Sequence, residues 1–151
     1  MYKLETYIEE DRIPYITKTE ICKGRINVNS PDKVFKMLNK YFNLGLRSEE
    51  YMYMISMDTK CNTIGVFEVS HGCINQSIMS PREIFMKALL SGASSIILAH
   101  NHPSGNCFPS QTDREGCRKI NEIGEMMNIE LSDFLIVSEN TYYSFKENSC
   151  L

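Results

Sequence analysis

The sequence predicts a single-domain α/β sandwich built on a mixed sheet. Three observations carry this expectation. Segments with strand-like and helix-like hydrophobic spacing alternate along the chain. Polar turns join neighbouring strand-like runs into hairpins, which brings antiparallel pairs into the sheet. A chain of 151 residues with 42% hydrophobic content is also enough to bury one core. No internal repeat and no low-complexity linker divides it.

Residues 1–29 carry the weakest pattern. Residues 12–18 and 20–28 read as two short strands of mixed polarity, an N-terminal arm or edge hairpin of the same domain whose main part runs over 30–151. The first helix is better marked. Ser30 suits the N-cap and Pro31 the first helical position, and Val34, Met37, Leu38, Tyr41 and Phe42 then recur at helical spacing. That stripe is core rather than a cofactor box, and Gly45 is the expected stop.

Tyr51 to Met57 is nearly all apolar, as in a strand buried on both faces. Asp58 to Asn62 turns the chain, and Thr63 to Ser70 returns as a second strand. Glu68 stands there among Val66, Phe67 and Val69. A carboxylate in so apolar a strand is costly unless it is paired, protonated or placed in a cleft. Two readings follow: a side chain facing solvent, by simple alternation, or a general base with a raised pKa. His71 reads as exposed and local. Residues 75–80 are a connector, and Ser80-Pro81-Arg82-Glu83 has the form of a capping box with proline at the first helical position. Ile84, Phe85, Ala88 and Leu89 supply the buried face of the helix that follows, which Gly92 closes.

The apolar run from Ser95 to Ala99 leads directly into His100, Asn101 and His102. In an extended backbone alternate side chains point the same way, so the two imidazoles can converge. Pro103, Ser104 and Gly105 end the strand. Ser110 then opens a helix with Asp113 in its first turn. Two neutral imidazoles and a carboxylate on rigid elements form a three-ligand set; for zinc this leaves the fourth tetrahedral position to water, as in a catalytic site. The plainer reading is an ordinary helix N-terminus capped by Ser110, with an acid favoured by the helix dipole, beside polar residues at a strand end. That helix buries Cys117, Ile120, Ile123 and Met127. Ile129 to Val137 forms the next strand, residues 138–141 turn it, and Tyr142 to Phe145 pairs back.

His-x-His, seven residues, Ser, two residues and Asp is the JAMM (MPN-type) metalloprotease pattern, and His100, His102, Ser110 and Asp113 match it in full. The longer string His-Asn-His-Pro-Ser-Gly, with Pro-Ser-x-x-Asp after it, resembles the bacterial RadC-like JAB domain over roughly residues 50–148. The resemblance implies the α-β-α sandwich of JAB/MPN domains, a cytidine-deaminase-like arrangement. It also implies Zn2+ held by His100, His102 and Asp113. Glu68-Val-Ser-His-Gly72 fits the family's glutamate-before-glycine strand, which implies Glu68 as the base that activates water, with Ser110 as an oxyanion donor. The activity implied is metal-dependent cleavage of a peptide or isopeptide bond in a peptide or protein substrate. The alternative is a DNA-repair or mobile-element accessory protein, the traditional label of the family, that binds a partner or DNA without hydrolysis.

The chain departs from the family pattern in three places. Residues 1–29 leave no room for the helix-hairpin-helix region that RadC-like proteins often carry, which weakens any carry-over of DNA binding. Phe134 follows Asp133 where the family often has histidine, so a residue that supports a ligand is expected to be missing. Cys107 replaces a residue that is often proline, and reads as a loop thiol or an added soft ligand. A zinc deaminase is disfavoured, since it needs His-x-Glu and a later Pro-Cys-x-x-Cys and no Cys-x-x-Cys occurs here. The net charge of −3 and the absence of a Lys/Arg block give no support to a direct nucleic-acid groove. No run reaches transmembrane length, and the N-terminus lacks a signal peptide's basic start and apolar core. A cytoplasmic protein with reduced cysteines is expected, and its edge strands are compatible with a homodimer.

Overall fold

A computed structural model describes residues 1–72 and 79–151. The connector read over 75–80 falls outside them except for its last two residues, and Cys73 falls outside as well. The elements run β1 (Tyr2–Ile8), β2 (Pro14–Glu20), α1 (Pro31–Phe42), β3 (Glu50–Met57), β4 (Thr63–Gly72), α2 (Pro81–Leu90), β5 (Ser95–Asn101), α3 (Gln111–Met127), β6 (Glu130–Val137) and β7 (Tyr142–Ser144). They form a seven-stranded sheet in the order β2-β1-β4-β3-β5-β6-β7. β1 runs parallel to β4 and β5 parallel to β6, while the other neighbours are antiparallel. The mixed-sheet α/β architecture is the one the sequence predicts.

Period-two alternation sorts the buried strand residues into two cores. Met52, Met54, Phe67, Ile96, Leu98, Phe134 and Ile136 face α2 and α3, where Ile84, Phe85, Cys117 and Ile120 meet them. Tyr53, Ile55, Met57, Val66, Ile97, Ala99 and Leu135 face α1 and its Val34, Met37, Leu38 and Phe42. The middles of β3 and β5 are largely apolar because both of their faces are covered. Each large side chain sealed there contributes about 1.5–3 kcal/mol relative to exposure. β5, central in the sheet, is therefore a rigid rod whose last residues can present side chains without yielding.

Several local expectations are corrected. The N-terminal hairpin is Tyr2–Ile8 with Pro14–Glu20, not 12–18 with 20–28. Leu4 anchors it by packing into the α2/α3 core, and the long-range pairing of Leu4 with Phe67 recruits the strand. Residues 21–28 are irregular apart from a bridge between Asn27 and Asn62. α1 stops at Asn43, which adopts the left-handed conformation (φ 51°) that asparagine tolerates. Gly45, two residues on, is there for closeness: a Cβ would overlap the Ser138 carbonyl. The Asn39 side chain fastens the same junction, donating to the Ser138 and Glu139 carbonyls and accepting from Gly45 N–H.

Ser80 precedes α2 without a side-chain cap, and Glu83 leans instead toward Lys87 on the next turn. Leu89 and Met127 are exposed, because each lies past the edge of its helix's buried stripe. Phe145 is buried just beyond β7 rather than within it. The described cysteines, Cys22, Cys61, Cys107, Cys117 and Cys150, are free. Among the described residues no helix is long and apolar enough to cross a membrane.

Candidate metal centre

The end of β5 and the start of α3 meet on the α2/α3 side of the sheet. His100 shares the parity of Ile96 and Leu98, so its ring enters that face, where it stacks on Phe134 with centroids 5.2 Å apart. His102 lies one residue past β5 with the same parity. Its Nδ1–H donates to the Asn106 carbonyl at 2.7 Å, which orients the ring and leaves Nε2 free to ligate. Asp113 arrives from the first turn of α3.

Ligand atoms of His100, His102 and Asp113 all lie within 4.8 Å of one another. The Nε2 atoms of the two histidines are 2.9 Å apart, and Asp113 Oδ1 and Oδ2 lie 3.2 Å from His100 Nε2 and 3.5 Å from His102 Nε2. For metal–ligand bonds of about 2.0–2.1 Å, the edge of a tetrahedron is about 3.3 Å. The three separations bracket that edge, so the donor set fits one small divalent cation with a coordination position left open.

Ser110 holds the carboxylate in place. Asp113 N–H donates to Ser110 Oγ at 3.1 Å, while Ser110 N–H and Oγ–H donate to Asp113 Oδ2 at 2.8 and 2.6 Å, a reciprocal capping box. The helix N-terminus and the metal ligand are thus built from the same two residues. Burial of Asp113 works to raise its pKa, but hydrogen bonds with His100 and His102 and the Ser110 hydroxyl hold the carboxyl well below the usual carboxylate range. The pKa of His102 is raised, first by the hydrogen bond with Asp113, against the opposing effect of burial; the Asn106 carbonyl and the charges of Asp113 and Glu50 add to it.

Among the described residues, His100 Nδ1 is the buried side-chain polar atom without a hydrogen-bond partner. It faces a core in which Phe134 supplies a ring face and no acceptor, and an unmet buried group of this kind costs about 1–3 kcal/mol. The departure at Phe134 expected from the sequence therefore has a structural counterpart: stacking, rather than a hydrogen bond, supports His100. Cys107 does not join the ligands; its thiol is turned toward the Thr141 carbonyl, 3.6 Å away.

Glu68 is placed elsewhere. It pairs across the sheet with Tyr53, whose side chain belongs to the α1 core, so it projects from the face opposite the histidines. There its Oε1 lies 2.8 Å from His71 Nδ1 and it hydrogen-bonds Tyr53, whose pKa is pushed up to about 12 by burial and by the Glu68 charge. His71 is exposed and stacks on Tyr51. Glu68 thus does not meet the histidine pair in this structure, because residues paired directly across neighbouring strands share a face and Tyr53 lies on the α1 side.

The acid on the correct face is Glu50, which the spacing of the motif does not reveal. It opens β3, two residues before Met52, and Met52 is the partner of His100 in the antiparallel ladder. Alternation puts Glu50 on the histidine side, and its charge acts on His102. The signal available in the sequence was an acid at the start of the apolar strand preceding the hairpin.

Comparison with known proteins identifies the family. A family model described as the RadC-like JAB domain matches residues 28–150. A UPF0758 protein of Clostridium perfringens is 38% identical over 128 residues, covering 85% of this chain and 56% of its own length. Relatives of the same name from Finegoldia magna and Pelobacter propionicus are 39% and 40% identical over 121 and 124 residues, covering 80% and 81% of this chain and 53% and 52% of their own. The chain spans about half the length of the curated relatives it matches. With a match that takes in α1, strands β3 to β7 and the histidine motif, the chain belongs to the RadC-like JAB domain family.

Proposed function

We propose that this chain is a zinc-dependent hydrolase of peptide or isopeptide bonds. The observation that supports it most is the convergence of His100, His102 and Asp113 at tetrahedral-edge spacing, two of the three buried, on elements that packing holds rigid. Imidazole and carboxylate donors with an open position suit zinc, which when bound lowers the pKa of a water from about 15.7 toward 7 and polarises a carbonyl.

The chain's own residues supply the rest. Glu50 takes the proton from the attacking water and returns it to the leaving amine, as its place on the histidine face allows. Ser110 fixes Asp113 in the resting site, and its hydroxyl, turned toward substrate, donates to the developing oxyanion, a contribution of about 3 kcal/mol by comparison with other oxyanion donors. His102, held by the Asn106 carbonyl, keeps its ligating nitrogen aimed inward.

The test is a screen of peptide and isopeptide substrates with zinc-loaded protein, with Glu50→Gln and Glu68→Gln alongside. Glu50→Gln is expected to keep zinc and lose about 10²–10⁴-fold in rate, while Glu68→Gln stays near wild type. The reverse order of the two variants would restore Glu68 and remove Glu50. No cleavage of any substrate by fully loaded protein would favour the non-hydrolytic accessory reading.

A further inference from the structure

Asn101, the middle residue of the His-Asn-His run, has a side chain that points away from the ligands. It is 1% exposed and carries the parity of Ile97 and Ala99. Its Oδ1 accepts from Tyr51 N–H at 2.8 Å, and its Nδ2 donates to the Glu49 carbonyl at 3.0 Å and the Arg47 carbonyl at 3.2 Å. These partners flank Glu50 on both sides.

The main-chain ladder explains why this matters. Pairing between β3 and β5 runs from Met57 with Ser95 to Met52 with His100 and ends there. Glu50, the first residue of β3, therefore lies beyond the last rung on the β5 edge, while its other edge still pairs with Gly72 of β4. On the β5 edge the Asn101 amide takes over where the ladder stops, one planar group supplying an acceptor for one backbone group and two donors for two others. The side chain that clamps Glu50's neighbours thus sits between the two metal-ligating histidines, so base and ligands are referred to one rigid strand.

We infer that Asn101 is a positioning residue that sets the carboxylate of Glu50 against the His100, His102 and Asp113 cluster by fixing the backbone on either side of it. The inference rests on the reading of Glu50 as the proton carrier. Neither substitution that keeps or trims its shape matches the three partners: aspartate keeps the acceptor for Tyr51 N–H but turns an oxygen on two carbonyls, and alanine leaves all three unmet.

The experiment uses cobalt(II)-loaded protein and reads the visible d–d spectrum across pH, with metal stoichiometry measured in parallel. The variants are Glu50→Gln, Asn101→Asp, Asn101→Ala and the double variant Glu50→Gln/Asn101→Asp. Glu50→Gln is expected to keep one cobalt and move the spectral midpoint by about 1 pH unit. Asn101→Asp, the near-isosteric change that carries the test if the alanine variant does not fold, is expected to keep cobalt and move the midpoint too. In the Glu50→Gln background the Asn101→Asp change should add nothing, since its effect passes through a carboxylate already gone. An equal shift in both backgrounds, or none in the wild-type background, overturns the role of Asn101. A midpoint untouched by Glu50→Gln overturns the reading of Glu50 itself, a separate and recognisable failure.

Discussion

Asp113 and His102 are tuned against each other in the metal-free protein, and the consequence can be measured. The Asp113 carboxyl is held low, so its contribution is present above the ordinary carboxyl pKa of about 3.9 and is lost as pH falls toward the depressed value. His102 is raised, so its contribution is complete below the ordinary imidazole pKa of about 6.5 and is lost as pH rises through its folded value. Metal-free protein should therefore lose stability as pH rises above about 6.5. Zinc requires the neutral imidazole, so the stabilisation it adds should grow over the same range. Thermal unfolding with zinc and with chelator, from pH 5.5 to 8.5, checks this; parallel trends in the two series would contradict it. The same residues show what spacing can convey. His100, His102, Ser110 and Asp113 lie within one short run, so local geometry alone brings them together. Glu50, the proposed base, is distant in sequence and comes to the histidine face only through the register of β3 on β5. Glu68 looked suitable because alternation says that a strand has two faces without saying which one carries the site.

At the scale of the element, α3 is both a structural helix and the carrier of a ligand. Its capping box fixes the helix N-terminus and the carboxylate orientation together, so the cap is compatible with the proposed ligand role of Asp113. Ser110→Ala should cost about 1 kcal/mol of stability through the lost cap and weaken zinc binding by about 10–100-fold through the freed carboxylate. Denaturant unfolding and a chelator competition titration read the two separately, and a loss of stability with unchanged zinc affinity would reduce Ser110 to a cap. Helices were legible in outline because apolar spacing and proline at the first position are local signals. Their ends were less so: Asn43 rather than Gly45 stops α1, since Gly45 answers to a neighbouring backbone that local spacing cannot show. β1 was hidden although its hairpin partner β2 is local, because the contact that buries Leu4 comes from β4, far along the chain.

For the whole molecule, the two-core sandwich followed from the apolar runs of β3 and β5, because strands covered on both faces need helices on both sides. Those layers hold the cluster: β5 supplies His100 at its C-terminal end and leads into His102, and α3 supplies Asp113, while the start of β3 carries the proposed base, Glu50, on the same face. The central claim is that these elements assemble a metal centre and not merely a polar strand end. Elemental analysis of untagged protein, beside a His102→Ala variant that still unfolds cooperatively, tests it most directly. The account predicts about one zinc per chain in the wild type and a near-complete loss in the variant. Wild-type protein that takes up no metal when zinc is offered under reducing conditions, or a variant that retains it fully, would contradict the account.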